Sequence, residues 1–138
     1  MQLQILAYPV TDCSFDRPSY HSFSEGYLLT RRDMMWFWDQ YLPTESLRID
    51  PLASPLRGHD LSASPKALIL TAEFDPLRDE GEEYCTRLKN SGVEAEVVRC
   101  EGLVHGFFAM INYAPSAEKA FGQVLRAVEL ETIQDSSP

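Results

Sequence analysis

The feature that most constrains this chain is one apolar run that ends on an acid. Pro65-Lys66-Ala67-Leu68-Ile69-Leu70-Thr71-Ala72 is apolar over its centre and bounded by proline. Such a run offers no polar face to water, so it predicts a short strand buried on both sides, the pattern of a parallel sheet. Glu73-Phe74-Asp75 leaves that strand, and Pro76 fits the first turn of a helix, where its missing N–H costs nothing. Asp75 therefore sits at the C-terminal end of a strand, on a strand-to-helix turn, where open parallel sheets keep their sites. An aspartate just before proline is also a good N-cap, and capping alone accounts for it.

The next 30 residues repeat the logic. Pro76 to Asn90 reads as an amphipathic helix with Leu77, Gly81, Tyr84, Cys85 and Leu88 on its buried stripe and Gly92 as its C′ residue. Glu94 to Cys100 alternates well enough to be a second strand. Strand, helix and strand from Ala67 to Cys100 predict a right-handed βαβ unit. Glu101 to Phe108 then reads as a loop carrying His105 beside Gly106, where the backbone can bend sharply and an imidazole can project. His21 and His59 have no such context. If Asp75 meets His105, it would accept the Nδ1 proton, fix the tautomer and stabilise an imidazolium. Those are two members of a Ser-His-Asp triad. The third is absent: no serine lies in a G-x-S-x-G elbow, and Cys13, Cys85 and Cys100 have no such setting either.

Ahead of the acid, Leu3 to Tyr8 reads as a buried parallel strand ended by Pro9. Thr30 with Asp33 forms a capping-box start to a helix whose Met34, Phe37, Trp38 and Tyr41 share one face. Met35 and Trp36 lie off that stripe. The stripe is first of all explained by core packing; its functional reading is a lid or pocket wall. Pro43 to Pro65 holds four prolines, which mark irregular structure, with Leu47, Ile49, Leu52, Leu56 and Leu61 spaced for docking. After the histidine, Ser116 is a candidate cap for a last helix bearing Ala117, Ala120, Phe121, Val124, Leu125 and Val128. Gln134 to Pro138 reads as a frayed tail.

Thr71-Ala72-Glu73-Phe74-Asp75-Pro76-Leu77-Arg78-Asp79-Glu80-Gly81 resembles the acid-turn motif of the hormone-sensitive-lipase-like esterase branch of the alpha/beta-hydrolases. His105-Gly106-Phe107 is similar to that family's histidine loop. Tyr8-Pro9-Val10-Thr11-Asp12 and Asp50-Pro51-Leu52-Ala53-Ser54-Pro55-Leu56 resemble its stretches between nucleophile and acid. The resemblance covers nearly the whole chain. It implies an α/β fold class: the C-terminal portion of an alpha/beta-hydrolase fold, about three parallel strands with flanking helices and a cap-type insertion. On that reading residues 1–8 hold a core strand, 9–65 the cap-type insertion, and 66–133 a βαβα unit with the acid and histidine loops. It implies Asp75 as triad acid, His105 as general base and carboxylesterase chemistry on short-acyl esters. Leu28, Leu29 and Trp36 are the expected lining of the acyl pocket. The family's oxyanion loop and nucleophile serine belong upstream of the part present here. The expectation is therefore a partial hydrolase, inactive alone. A small self-sufficient hydrolase with an unrecognised nucleophile and a non-catalytic interaction module remain as alternatives.

With 138 residues and a net charge of −9, the chain is at most one domain and is a poor match for nucleic acid or an anionic membrane surface. Its first ten residues are too short for a membrane span and lack the basic start of a signal peptide. Three cysteines at irregular spacing form neither a disulfide framework nor a metal motif, and fit a reducing cytoplasm. No metal or organic cofactor is expected, since the implied mechanism needs none. Expected partners are a small ester if the site is completed, and a second copy of the chain or a complementary N-terminal hydrolase fragment at the open edge of Leu3 to Tyr8.

Overall fold

The apolar run becomes the middle of a sheet. The computed structural model describes residues 3–135, with side chains through residue 130; Met1, Gln2 and the end of the expected tail, 136–138, lie outside the described residues. Strands β1 (Leu3–Ala7), β2 (Lys66–Phe74) and β3 (Ala95–Val104) pair in parallel in the order β1-β2-β3. Along β2 the side chains alternate between two cores, as the pleat requires. Ala67 and Ile69 pack with Leu56, Leu61, Tyr84, Cys85, Leu88 and Val93. Leu68, Leu70 and Ala72 pack on the other face with Cys100, Leu103, Phe107, Ala117 and Ala120. Ile69 and Leu70 are fully buried, and each contributes about 1.5–3 kcal/mol by leaving water. β1 is only half-buried along its length, because among the described residues it has one strand neighbour.

The crossover from β2 to β3 is α4 (Arg78–Asn90), after α1 (Pro18–Ser22), α2 (Arg31–Tyr41) and α3 (Glu45–Arg48) between β1 and β2; α5 (Pro115–Asp135) closes the chain. The capping box forms: Thr30 Oγ1 accepts Asp33 N–H, and Asp33 Oδ2 accepts Thr30 N–H, each at 3.0 Å. The stripe read for this helix is buried throughout, but the helix starts at Arg78 and not at Pro76, so Leu77 is its N-cap and Pro76 lies in the turn before it. At Gly81 a Cβ would meet Thr71 Cγ2 at 3.1 Å and Pro9 Cδ at 3.5 Å, so glycine lets α4 lie close on β2.

Four other local readings are corrected. β3 does not stop at Cys100 but runs to Val104, because a bulge rather than a loop takes up residues 101–103. α5 begins at Pro115, so Ser116 lies inside its first turn, and the helix continues through Asp135. On α5, Ala117 and Ala120 are buried, whereas Phe121, Leu125 and Val128 are partly exposed. Of the apolar residues between Pro43 and Pro65, Leu56 and Leu61 dock, while Leu47, Ile49 and Leu52 are exposed.

The segment between β1 and β2 is held by a charged knot. Asp12 is buried and bonds Arg17 Nη2 at 2.9 Å and Arg57 Nε at 2.5 Å. Burial alone would raise its carboxyl, but the hydrogen bonds from Arg57 and Arg17 outweigh that and hold it below the ordinary carboxylate range. Asp12→Ala is expected to destabilise the fold by about 2 kcal/mol: both guanidinium groups lose a buried partner, though Arg17 keeps Glu83 and Arg57 keeps access to water. The urea midpoint at pH 7 measures this, and an unchanged midpoint would count against the knot.

Candidate active site

β2 ends at Phe74, which puts Asp75 on the turn into α4 with no exposed surface. Its two oxygens do different things. Oδ1 accepts the N–H of Leu77 at 2.9 Å, which forms the turn. Oδ2 meets Nδ1 of His105 at 2.9 Å. Asp75 is not the N-cap expected of it: α4 starts at Arg78 with Leu77 as its N-cap and no side-chain cap, so one oxygen makes the turn ahead of the helix and the other meets the histidine. An ionised carboxylate only accepts, so Nδ1 carries the proton toward it, and in the neutral ring Nε2 then has the lone pair. That is the form of a general base.

His105 follows β3 directly. Gly106 turns the chain at φ +78°, and Phe107, fully buried, anchors the short 3-10 turn Phe107–Met110 behind it. The ring of Tyr8 lies 4.5 Å from the imidazole, inclined at 57°. Tyr8 sits at φ +38°, just past β1, and its N–H donates to Leu70 O at 2.6 Å. Burial raises the Tyr8 phenol above its ordinary pKa; a hydrogen bond to the Phe108 backbone opposes this, and the Asp75 carboxylate adds to it.

His105 opens onto a cleft of about 420 Å³. Its walls are apolar: Leu29, Met34, Phe37, Trp38 and Tyr41, with Val10, Ala53 and Leu77. The α2 stripe read from the sequence is thus the cleft wall, with Met34 and Trp38 buried and Phe37 and Tyr41 open to the cleft side. Of the three residues expected to line an acyl pocket, Leu29 is in this cleft. Leu28 is 70% exposed and lies near Gly106 without lining it. Trp36 lines a separate surface depression with Glu25, Thr30, Arg32 and Asp33. Phe37, Trp38 and Tyr41 were signalled by their spacing; Tyr8 and Val10 were part of a family-like stretch, but nothing in the sequence placed them beside the histidine or in the cleft.

The acid helix also holds the cleft wall. Glu80 Oε1 accepts Thr11 N–H at 2.6 Å and Asp12 N–H at 3.2 Å, and Ser19 N–H reaches Asp79 Oδ2 at 2.8 Å. Ser19 Oγ donates to Pro76 O at 2.6 Å. Burial pushes the Glu80 carboxyl up to about 7, against the backbone hydrogen bonds of Thr11 and Asp12, a Tyr20 contact and the Arg17 charge. Tyr20, buried beside it, is raised as well, by burial and then by Glu80. No group of three or more His, Cys, Asp or Glu side chains among the described residues is placed to hold a metal ion.

A three-stranded parallel sheet that presents an acid after its central strand and a histidine after the next defines an α/β unit of hydrolase type. The profile of the alpha/beta hydrolase fold family matches residues 1–109, and the chain belongs to that family. It is 38% identical over 128 residues to an ethyl acetate hydrolase of Pseudomonas putida, covering 93% of this chain and 40% of that protein. It is 38% identical to the carboxylic ester hydrolase LipN of Mycobacterium tuberculosis, covering 91% of this chain and 34% of that protein. The crystal structure of a thermostable esterase from Pseudomonas putida ECU1011 superimposes with a TM-score of 0.84 at 41% identity, over 88% of this chain and 39% of that one. The chain thus spans well under half the length of these relatives. No helix among the described residues is long and apolar enough to cross a membrane.

Proposed function

We propose that this chain is the acid- and base-bearing C-terminal part of a serine carboxylesterase-like hydrolase acting on short-acyl carboxylic esters. Asp75 is the triad acid, His105 the general base, and residues 9–65 a cap-type insertion over the 66–133 core. The observation that carries this reading is the 2.9 Å hydrogen bond between His105 Nδ1 and buried Asp75 at the mouth of an apolar cleft. In the completed enzyme, Nε2 of His105 takes the proton of an upstream serine as its oxygen attacks the ester carbonyl. The same nitrogen then returns the proton to the leaving alcohol. Asp75 stabilises the imidazolium that exists between those steps. A second turn of the same cycle, with water in place of serine, releases the acid. The cleft, with Leu29 and the α2 aromatics, receives the apolar part of the ester.

Alone, the chain supplies no G-x-S-x-G serine, and no acyl-enzyme forms without one. Oxyanion donors are worth a further factor of about 10²–10³. The open edge of β1 is where a complementary N-terminal hydrolase part, or a second copy of the chain, adds its strand. The free thiols Cys13, Cys85 and Cys100 fit a reducing cytoplasm. The test is turnover of a short-acyl p-nitrophenyl ester by the purified chain beside His105→Ala, each alone and mixed with the N-terminal part of a family member. We expect no turnover above buffer from either chain alone, and turnover in the mixture only when His105 is present. Turnover by the chain alone that is lost in His105→Ala would overturn the inactive reading and reveal a nucleophile in this chain.

A further inference from the structure

The acid motif contains a carboxylate that the triad does not use. β2 and β3 pair in register up to Ala72↔Cys100, and the next pair is Phe74↔Val104. One residue lies between these partners on β2 and three on β3, so β3 carries a bulge opposite Glu73. A bulge leaves backbone groups unpaired and bends the strand. Here Gly102 takes φ +73° with open space where a Cβ would be, so glycine serves its backbone conformation rather than a close approach. Its N–H is caught by Glu73 Oε2 at 2.7 Å. Glu73 is itself held from behind, since Arg78 Nη1 donates to its carbonyl at 3.2 Å and Arg78 Nε to Asp79 Oδ1 at 2.9 Å.

We propose that Glu73 is a positioning residue: by clamping Gly102 across the bulge, it sets the height at which His105 meets Asp75. The inference rests on the reading of those two residues as base and acid. Glu73 stands two residues before Asp75, and Gly102 three before His105. The clamp is therefore a short side-chain bridge between the two strand ends that carry the pair. Beyond it, buried Leu103 and Phe107 fix the histidine loop from the core side. The clamp is exposed to water, so losing it leaves the freed N–H solvated and the fold largely intact. What it removes is a restraint on the bulge, and the hydrogen bond with its sharpest geometric demand, His105 to Asp75, registers that first.

The experiment is NMR of the full chain with ¹⁵N-labelled histidine, following the downfield Nδ1–H proton that His105 shares with Asp75. Glu73→Ala and Glu73→Lys both remove the acceptor, whereas Glu73→Gln keeps an oxygen for Gly102. Loss or exchange broadening of the His105 Nδ1–H signal is expected in the first two and its retention in the third, with the His21 and His59 resonances unmoved. Either variant suffices if the other folds poorly. An unchanged signal in Ala and Lys, or the same loss in Gln as in Ala, would overturn the clamp. These outcomes do not depend on catalysis. If instead His105→Ala leaves a completed enzyme active, it is the triad reading that falls, and the clamp is judged on its own spectrum.

Discussion

In a chimera that places the N-terminal part of the Pseudomonas putida ethyl acetate hydrolase ahead of this chain, His105→Ala is expected to lower kcat by on the order of 10⁵-fold, and Asp75→Asn by about 10⁴-fold. The aspartate variant is the sharper test because its fold should survive. Leu77 N–H needs an acceptor, so the asparagine oxygen goes to the turn. Its NH₂ then faces His105 Nδ1, which must accept. The proton is forced onto Nε2, and the imidazole is in the wrong tautomer to take one from serine. Thermal unfolding should change little while ester hydrolysis collapses. Activity within tenfold of the parent chimera in either variant would remove these residues from the triad.

Stability should fall as pH rises from about 4.5 to about 7, by roughly 3 kcal/mol at the limit. The group responsible is Glu80, raised from 4.5 to about 7 by burial in the fold. Between those values the native state holds a proton that the unfolded chain has released. The native state thus binds more protons, and stability declines with rising pH. The contribution is complete below the unfolded value and gone above the folded one. Glu80→Gln stays neutral and keeps an oxygen for Thr11 and Asp12 N–H, so its stability should be flat across this range. Asp12 acts with the opposite sign and in a different window. Its lowered carboxyl lends stability above the ordinary carboxylate range and loses it only in stronger acid. Urea midpoints at pH 5 and pH 8 for the two proteins decide the matter. An equal decline in both would clear Glu80.

Much of this was legible because local signals agreed. The run around Leu68 to Ala72 could only be a doubly buried strand, and Thr30 with Asp33 announced α2 before any tertiary contact was known. Asp75 and His105 were legible as a pair because each follows a strand. What stayed hidden depends on residues far apart in the chain. Glu101 and Gly102 look like a loop until Glu73, on another strand, takes the Gly102 N–H across the bulge. Periodicity put Met34, Phe37, Trp38 and Tyr41 on one face of α2, but it could not say that this face borders a cleft. Trp36, the more conspicuous aromatic, faces elsewhere. Leu52 carries the same hydropathy as Leu56, yet one is exposed and the other buried, because only Leu56 reaches the space beside Tyr84 and Leu88.

The pairing pattern of the sheet also sets the order in which it can assemble. Ala67 has only the α4 crossover to close before it finds Ala95, whereas Leu3 must find Lys66 across nearly half the chain. Loop closure is dearer for the longer excursion, and non-local pairs are slow to form. The β2–α4–β3 unit, which holds the Asp75–His105 hydrogen bond, is thus expected to form first, with β1 joining it later. Of the three described strands, β1 is synthesised first and waits longest for its neighbour.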